Sequence, residues 1–333
     1  MTISRTPYRI SFFGGGTDYP AFYTEHGGSV LSTTIDKYCN VNVRDLQPYG
    51  FDFKHMVVYR KVETVNNICE IKHPAVRAAM KHLGVDRGLE VSHTGDLPAF
   101  SGIGSSAAFM VGMLHSLHAH LWKGSPIDKH KLLHDAIYLD REVIGDNCGN
   151  QDHAASCYGG FNKFYFTRSG GIRRIKVEVP QDRLDWLNSH LMLVFTKFPR
   201  RASDVAASQI KATPKKIDVL KRMQEMVGIG EDILKRGEIV EFGKLLDRSW
   251  ILKKSLTDEI STEAVNKIYN TARNAGAIGG KLLGAGGGGF MLLFVEPQHQ
   301  AKVREALNGH VAVEVDFKFE THGTHLAEIE RIV

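Results

Sequence analysis

The first sixty residues alternate apolar and polar positions in short runs, the period-two pattern of half-buried strands. Strands are predicted at 3–13, 29–35, 38–46 and 51–60, with Val41 and Val43 carrying the alternation in the third. Residues 73–83 switch to helical spacing stopped by Gly84, and 89–93 reads as a strand. Two longer helices follow. One begins at Ser105 and sets Ala107, Val111, Leu114, His118 and Leu121 on one face. The other runs 128–144 with Leu132, Leu133, Ala136, Ile137 and Val143 inward. Strands return at 161–166 and 191–196, and 201–275 reads as almost wholly helical, with Ile217, Leu220, Met223 and Val227 forming an apolar stripe. A glycine-rich loop at 284–289 leads into a strand at 290–295, a short helix and a strand at 311–317. This order predicts an α+β chain, strand-rich in its N-terminal half, with helices covering a few strands in its C-terminal half.

A length of 333 residues exceeds one ordinary core and points to two domains, 1–180 and 181–333. Hydrophobic residues at 43% and charged residues at 24% fit a folded globular protein. The net charge of +5 could favour anionic substrates but is spread along the chain, so no nucleic-acid partner is expected. No apolar run is long enough to cross a bilayer and no signal-peptide core opens the sequence, so a cytoplasmic location without a membrane partner is expected. Cys39, Cys69, Cys148 and Cys157 match no zinc or redox spacing and read as reduced thiols. The His115/His118 and His322/His325 pairs lack cysteine or acidic partners at ligand spacing.

Three segments carry candidate chemistry. In the run 97–108, small residues Ser101, Gly102, Gly104, Ser105 and Ser106 surround Ile103, and a helix begins at once through Ala107. Glycines let backbone N–H groups approach an anion, and a helix N-terminus adds positive partial charge. The plainer alternative is a Ser-capped helix after a flexible loop. No Gly-Lys-Ser/Thr ends the run, so it is not a Walker A loop. The second segment, 279–290, places four consecutive glycines, Gly286 and Gly287 among them, before an apolar strand, with Lys281 nearby. Their cost in chain entropy suggests a close backbone approach to a ligand or another segment. The third, 7–19, runs an alternating strand containing Arg9 into Gly14, Gly15 and Gly16, then Thr17, Asp18 and Tyr19, which could bind or stack on a polyol.

Together, in order and separation, these segments resemble the three motifs of the GHMP kinases, from residue 5 to residue 295. The resemblance implies a two-domain fold: an N-terminal ATP-binding domain like the second domain of ribosomal protein S5, and a ferredoxin-like C-terminal domain. ATP and substrate would bind between them. It implies that 101–107 wraps the ATP phosphates, and that the second glycine loop, through Lys281, Gly286 and Gly287, shapes the substrate pocket. It also implies that Ser106 and Glu142 hold Mg²⁺, and that Asp152, with Arg9 beside it, acts on the attacking hydroxyl. Such chemistry needs a hard oxygen ligand for a phosphate-bound cation and a carboxylate near the nucleophile.

Galactokinases carry Gly-Glu-His-Thr-Asp-Tyr where this chain has Gly14 to Tyr19, so two sugar-facing groups are replaced by glycine and space opens. Residues 4–18 look instead like the D-glycero-D-manno-heptose 7-phosphate kinase branch, with L-fucokinase nearby. The segment 196–203 also matches that branch, except that Lys197 replaces a glycine. Arg200 and Arg201 at this strand-to-helix turn could grip a sugar phosphate. The implied reaction moves the ATP γ-phosphoryl to the anomeric hydroxyl of the heptose 7-phosphate, with Gly15, Gly16, Thr17, Asp18 and Tyr19 at the sugar. Alternatives are an L-fucokinase or other sugar 1-kinase, and a sugar sensor without turnover. Partners expected are ATP and a sugar phosphate, with a homodimer left open.

Overall fold

The computed structural model describes residues 1–47, 49–123, 125–198 and 202–327. It begins with β1 (Thr2–Phe13), α1 (Pro20–His26) and β2 (Gly28–Asp45), then β3 (His55–Val58), β4 (Val62–Val65), α2 (Pro74–His82) and β5 (Leu89–Gly95). Next come α3 (Ser105–Leu121), α4 (Lys129–Tyr138), α5 (Gln151–Tyr158), β6 (Asn162–Phe166) and β7 (Ile172–Lys176). These strands form one sheet in the order β1-β2-β5-β3-β4, with β6 also pairing β2 and β7 pairing β6. Only β3 with β5 is parallel among these pairs.

β2 is one strand where a break at 35–38 was expected. Asp36 and Lys37 interrupt the apolar pattern, but their polar groups are met without ending the strand. Asp36 accepts from Lys37 Nζ at 3.1 Å and from the Lys318 N–H at 2.9 Å. β2 then pairs with β6 along its first part and with β5 along its last. The strand expected at 51–60 is confined to β3, and a tight turn at 59–61 sends the chain into β4.

α3 is apolar around most of its circumference because it is buried along nearly its whole length against β1 and β2. A Cβ at Gly112 would lie 2.7 Å from Thr6 Oγ1, so glycine sets that approach. Ser116 Oγ donates to the Val41 carbonyl at 2.7 Å and accepts from the Ser4 N–H at 2.9 Å. The helix is thereby fixed on the sheet, and its N-terminus with it.

The rest of the chain is α6 (Gln181–Ser189), β8 (Leu191–Phe195), α7 (Ala202–Ala212), α8 (Ile217–Arg236), α9 (Ile239–Lys254) and α10 (Glu263–Ala275). After these come β9 (Gly279–Leu282), β10 (Phe290–Phe294), α11 (Pro297–Leu307) and β11 (Val313–Val315). The second sheet is antiparallel in the order β11-β8-β10-β9. Residues Phe319–Glu320 (β12) and His325–Leu326 (β13) return to the first sheet, beside β2 and β1. The larger sheet therefore draws on both ends of the chain. No described helix is long and apolar enough to cross a membrane.

Candidate active site

The cleft lies where the two sheets' glycine loops meet. Gly102 and Gly104 take left-handed conformations (φ +82° and +75°), and Gly104 caps α3. The first backbone bond into α3 runs from the Ala108 N–H to the Gly104 carbonyl, so the N–H groups of 105–107 have no partner within the helix. Gly102, Gly104, Ser105, Ser106 and Ala107 line the cleft. Ser101 and Ile103, expected in the same role, turn their side chains inward, off the cleft. Ser101 Oγ donates to the Pro98 carbonyl, and the Ile103 carbonyl accepts from the Arg9 N–H at 3.0 Å.

The second glycine loop abuts this one backbone to backbone. A Cβ at Gly284 would lie 2.5 Å from Gly102 Cα, and one at Gly289 2.4 Å from the Ser101 carbonyl oxygen. That contact accounts for glycines at positive φ here. Gly286 and Gly287, expected at the substrate, pack on Ile260 instead, and the Gly287 N–H donates to its carbonyl at 2.9 Å. Gly284 and Ala285 are the loop residues that reach the cleft.

Arg9 and Asp152 form the floor. Arg9 Nε and Nη2 donate to the two Asp152 oxygens at 2.8 and 2.9 Å, and Nη1 donates to the Gly102 carbonyl at 2.6 Å. Arg9 is 2% exposed, whereas the Asp152 side chain keeps 28% of its surface open to the cleft. A bidentate pair of this kind fixes both carboxylate oxygens. Asp18 lies behind it, fully buried, accepting from the Gly16 N–H at 3.0 Å. Burial and the neighbouring Asp152 charge push the Asp18 carboxyl up. Gly15, Gly16 and Tyr19 line the cleft beside it. Thr17 does not: its hydroxyl donates to the Gly14 and Ser29 carbonyls and accepts from the Ser29 N–H, tying the turn to β2.

The acid expected to hold a metal is displaced. The predicted helix 128–144 is α-helical only to Tyr138, and Leu139–Ile144 is a turn of π-helix. The wider i→i+5 winding rotates the side chains out of α register. Glu142 is consequently exposed and lies off the cleft, while Asp140 is buried and lines it. Asp140 Oδ2 pairs with His153 Nε2 at 2.7 Å, which leaves Oδ1 as the oxygen a cation could take. Ser106, exposed at the start of α3, supplies a second oxygen. Among the described residues no three His, Cys, Asp or Glu side chains gather as a metal cluster. One carboxylate, one hydroxyl and nucleotide phosphates fit Mg²⁺, which keeps waters and substrate oxygens as ligands.

Two lysines close the cleft, one from the second sheet and one from a helix. Lys253, from α9, donates to the Leu282 carbonyl at 3.1 Å and to the Gly284 carbonyl. Lys281, from β9, donates to the Phe12 carbonyl at 2.8 Å. Burial, with Arg9 adding to it, pushes Lys253 down to about 7, and Lys281 is lowered for the same reasons, with Lys253 itself contributing. Lys281 was anticipated beside its loop; Lys253 was not, since only the folded chain brings α9 to the glycines. Ser11, Asp140 and Gln151 were missed as well. Two of these carry a sequence signal: Ser11 shares a strand face with Arg9, and Gln151 is adjacent to Asp152. Arg200 and Arg201 lie outside the described residues. Lys197 takes a left-handed conformation (φ +68°), as a glycine would, and its ammonium turns to the Gly309 carbonyl.

The models of the GHMP kinases N terminal domain and the GHMP kinases C terminal region match residues 69–160 and 231–313. Over 355 aligned residues the chain is 28% identical to D-glycero-alpha-D-manno-heptose 7-phosphate kinase of Campylobacter jejuni, covering 96% of this chain and 97% of that protein. It is 24% identical to the bifunctional fucokinase/GDP-fucose pyrophosphorylase of Arabidopsis thaliana, over 93% of this chain but only 31% of that longer protein. The crystal structure of a D-glycero-D-manno-heptose 1-phosphate kinase from Bacteroides thetaiotaomicron shares the fold, with a TM-score of 0.81 at 21% identity, covering 99% of this chain and 100% of that one. The chain belongs to the GHMP kinases. It is a phosphotransferase of the sugar-kinase kind, with an alcohol group as acceptor.

Proposed function

We propose that the protein transfers the γ-phosphoryl of ATP to the anomeric hydroxyl of D-glycero-D-manno-heptose 7-phosphate. The 1,7-bisphosphate it yields would serve nucleotide-heptose synthesis for surface polysaccharide. The observation that carries the reading is the convergence, in one cleft, of the unpaired α3 N–H groups and an Asp152 carboxylate oriented by Arg9. End-to-end similarity to a heptose 7-phosphate kinase supports the choice of sugar.

In this reading the N–H groups of 105–107 hold nucleotide phosphates at the positive end of α3. Asp152 takes the proton of the acceptor hydroxyl as its oxygen bonds to the γ-phosphorus and the bond to the β-phosphate oxygen breaks, releasing ADP. Arg9 holds Asp152 in place, and Asp18 and Tyr19 shape the sugar side. Asp140 and Ser106 would hold Mg²⁺, which neutralises phosphate charge when bound.

ADP release across a panel of heptose 7-phosphate, L-fucose, galactose and other free sugars tests the reading. Heptose 7-phosphate is expected to be turned over with the highest kcat/KM. A preference for free L-fucose would overturn it, and absence of ADP release with every sugar would favour a sensor. The metal assignment has its own test. Asp140→Asn is expected to raise the Mg²⁺ concentration needed for half-maximal rate by roughly tenfold or more, because an amide is a poor ligand for a hard cation. Glu142→Gln is expected to leave it unchanged, and the opposite pattern would return the metal to Glu142.

A further inference from the structure

The wall of the cleft beside Gly15 contains two buried polar groups with nothing to bond. Ser11 is 5% exposed and Gln151 8% exposed, and both line the cleft. Neither Ser11 Oγ nor Gln151 Oε1 has a hydrogen-bond partner. A buried polar atom without a partner costs free energy, and two of them facing one open cleft are placed where a bound molecule can satisfy them. They flank one spot: a Cβ at Gly15 would lie 3.8 Å from both Ser11 Oγ and Gln151 Nε2. Whichever way the amide is turned, it presents one acceptor and one donor, and the hydroxyl can do either. A carbohydrate hydroxyl, itself donor and acceptor, matches both.

Position along the strand says which part of the sugar is met. Arg9 is bonded to Gly102 and Ile103 and marks the phosphate end of the cleft. Ser11 sits two residues further along β1, on the same face and about 7 Å from Arg9. That distance exceeds the reach from a reacting anomeric oxygen to its immediate ring neighbours. The geometry points to Ser11 and Gln151, across the gap left by Gly15, as a subsite that reads a hydroxyl on the side of the sugar remote from the anomeric centre. The inference rests on the proposed sugar-kinase reaction and adds the residues that select the acceptor.

The test uses Ser11→Ala, Gln151→Leu and Gly15→Ala in the full chain, assayed with heptose 7-phosphate and with its singly deoxygenated analogues. Ser11→Ala and Gln151→Leu are each expected to lower kcat/KM for the sugar roughly five- to twentyfold, with KM for ATP within about twofold. Against the analogue lacking the hydroxyl that is read, the same variants are expected to cost nothing further. Ser11→Ala is also expected to hold or raise the melting temperature, since it deletes an unpartnered hydroxyl, so activity and stability move in opposite senses. Gly15→Ala meets only ordinary contacts and is expected to fold and to reduce sugar kcat/KM by filling the gap. A uniform loss on every analogue, or a fall in melting temperature that tracks the activity loss, would overturn the subsite. If the wild type turns over a different sugar, the heptose reading fails alone. The subsite then stands or falls by the same variants on that sugar's deoxy series.

Discussion

Replacing Asp152 by Asn is expected to lower turnover by roughly a hundredfold or more while nucleotide binding survives. The substitution keeps size and shape, so the loop 101–107 and the α3 N-terminus are untouched. What changes is the group facing the acceptor. The carboxylate accepts from Arg9 Nε on one oxygen and from Nη2 on the other. An amide can satisfy only one of those donors, because its NH₂ would oppose the second. The side chain therefore loses both its negative charge, needed to take a proton, and half of the clamp that orients it. Steady-state ADP release together with a direct ATP-binding titration separates the two effects. Near wild-type turnover would show that Asp152 is not the base, whereas loss of ATP binding as well would mean that the Arg9–Asp152 pair holds the phosphate loop through Gly102.

Much of this site is visible in the sequence because its parts are local. The glycine-serine run before an apolar helix, the strand ending in three glycines and the four-glycine loop are each continuous segments, and the structure brings all three to one cleft. Where the structure places a residue elsewhere than expected, the cause is backbone geometry that composition does not encode. A π turn decides between Glu142 and Asp140, two acids two positions apart. Thr17 looks like a sugar ligand beside Asp18, yet its hydroxyl is consumed by Gly14 and Ser29. Gly286 and Gly287 are permitted by their positive φ to turn away from the cleft, which leaves Gly284 and Ala285 there. The continuous β2 depends on Lys318, nearly three hundred residues downstream, meeting Asp36. Lys253 is the clearest case of tertiary information. On α9 it is one lysine among several in a helical run, and only the packing of that helix carries it to the glycine loop.

The second large expected effect concerns that lysine: Lys253→Met should stabilise the empty protein at neutral and lower pH while reducing catalysis tenfold or more. Lys253 is buried with its ammonium bonded, among the described residues, to the Leu282 and Gly284 carbonyls, near Arg9, Lys281, Asp18 and Asp152. Its folded value of about 7 lies below the ordinary 10.5, so the unfolded chain binds the proton more tightly than the native one. Stability then rises with pH between about 7 and 10.5, and the full cost of burying the charge is present below 7. Removing the charge should therefore yield about 1–3 kcal/mol at pH 6, after allowing for the lost carbonyl bonds, and little above pH 10. Denaturant unfolding of wild type and variant across that range measures it, with Lys281→Met as a comparison because Lys281 shares the environment. The same linkage predicts that anionic substrates, by stabilising the ammonium, draw a proton onto the protein when they bind at pH 8. Calorimetric titration in two buffers of different ionisation enthalpy should show that uptake in the wild type and its loss in Lys253→Met. A stability difference independent of pH, or equal proton uptake in both proteins, would mean that Lys253 is a structural tether of the glycine loop and that the cation serving the substrates is another.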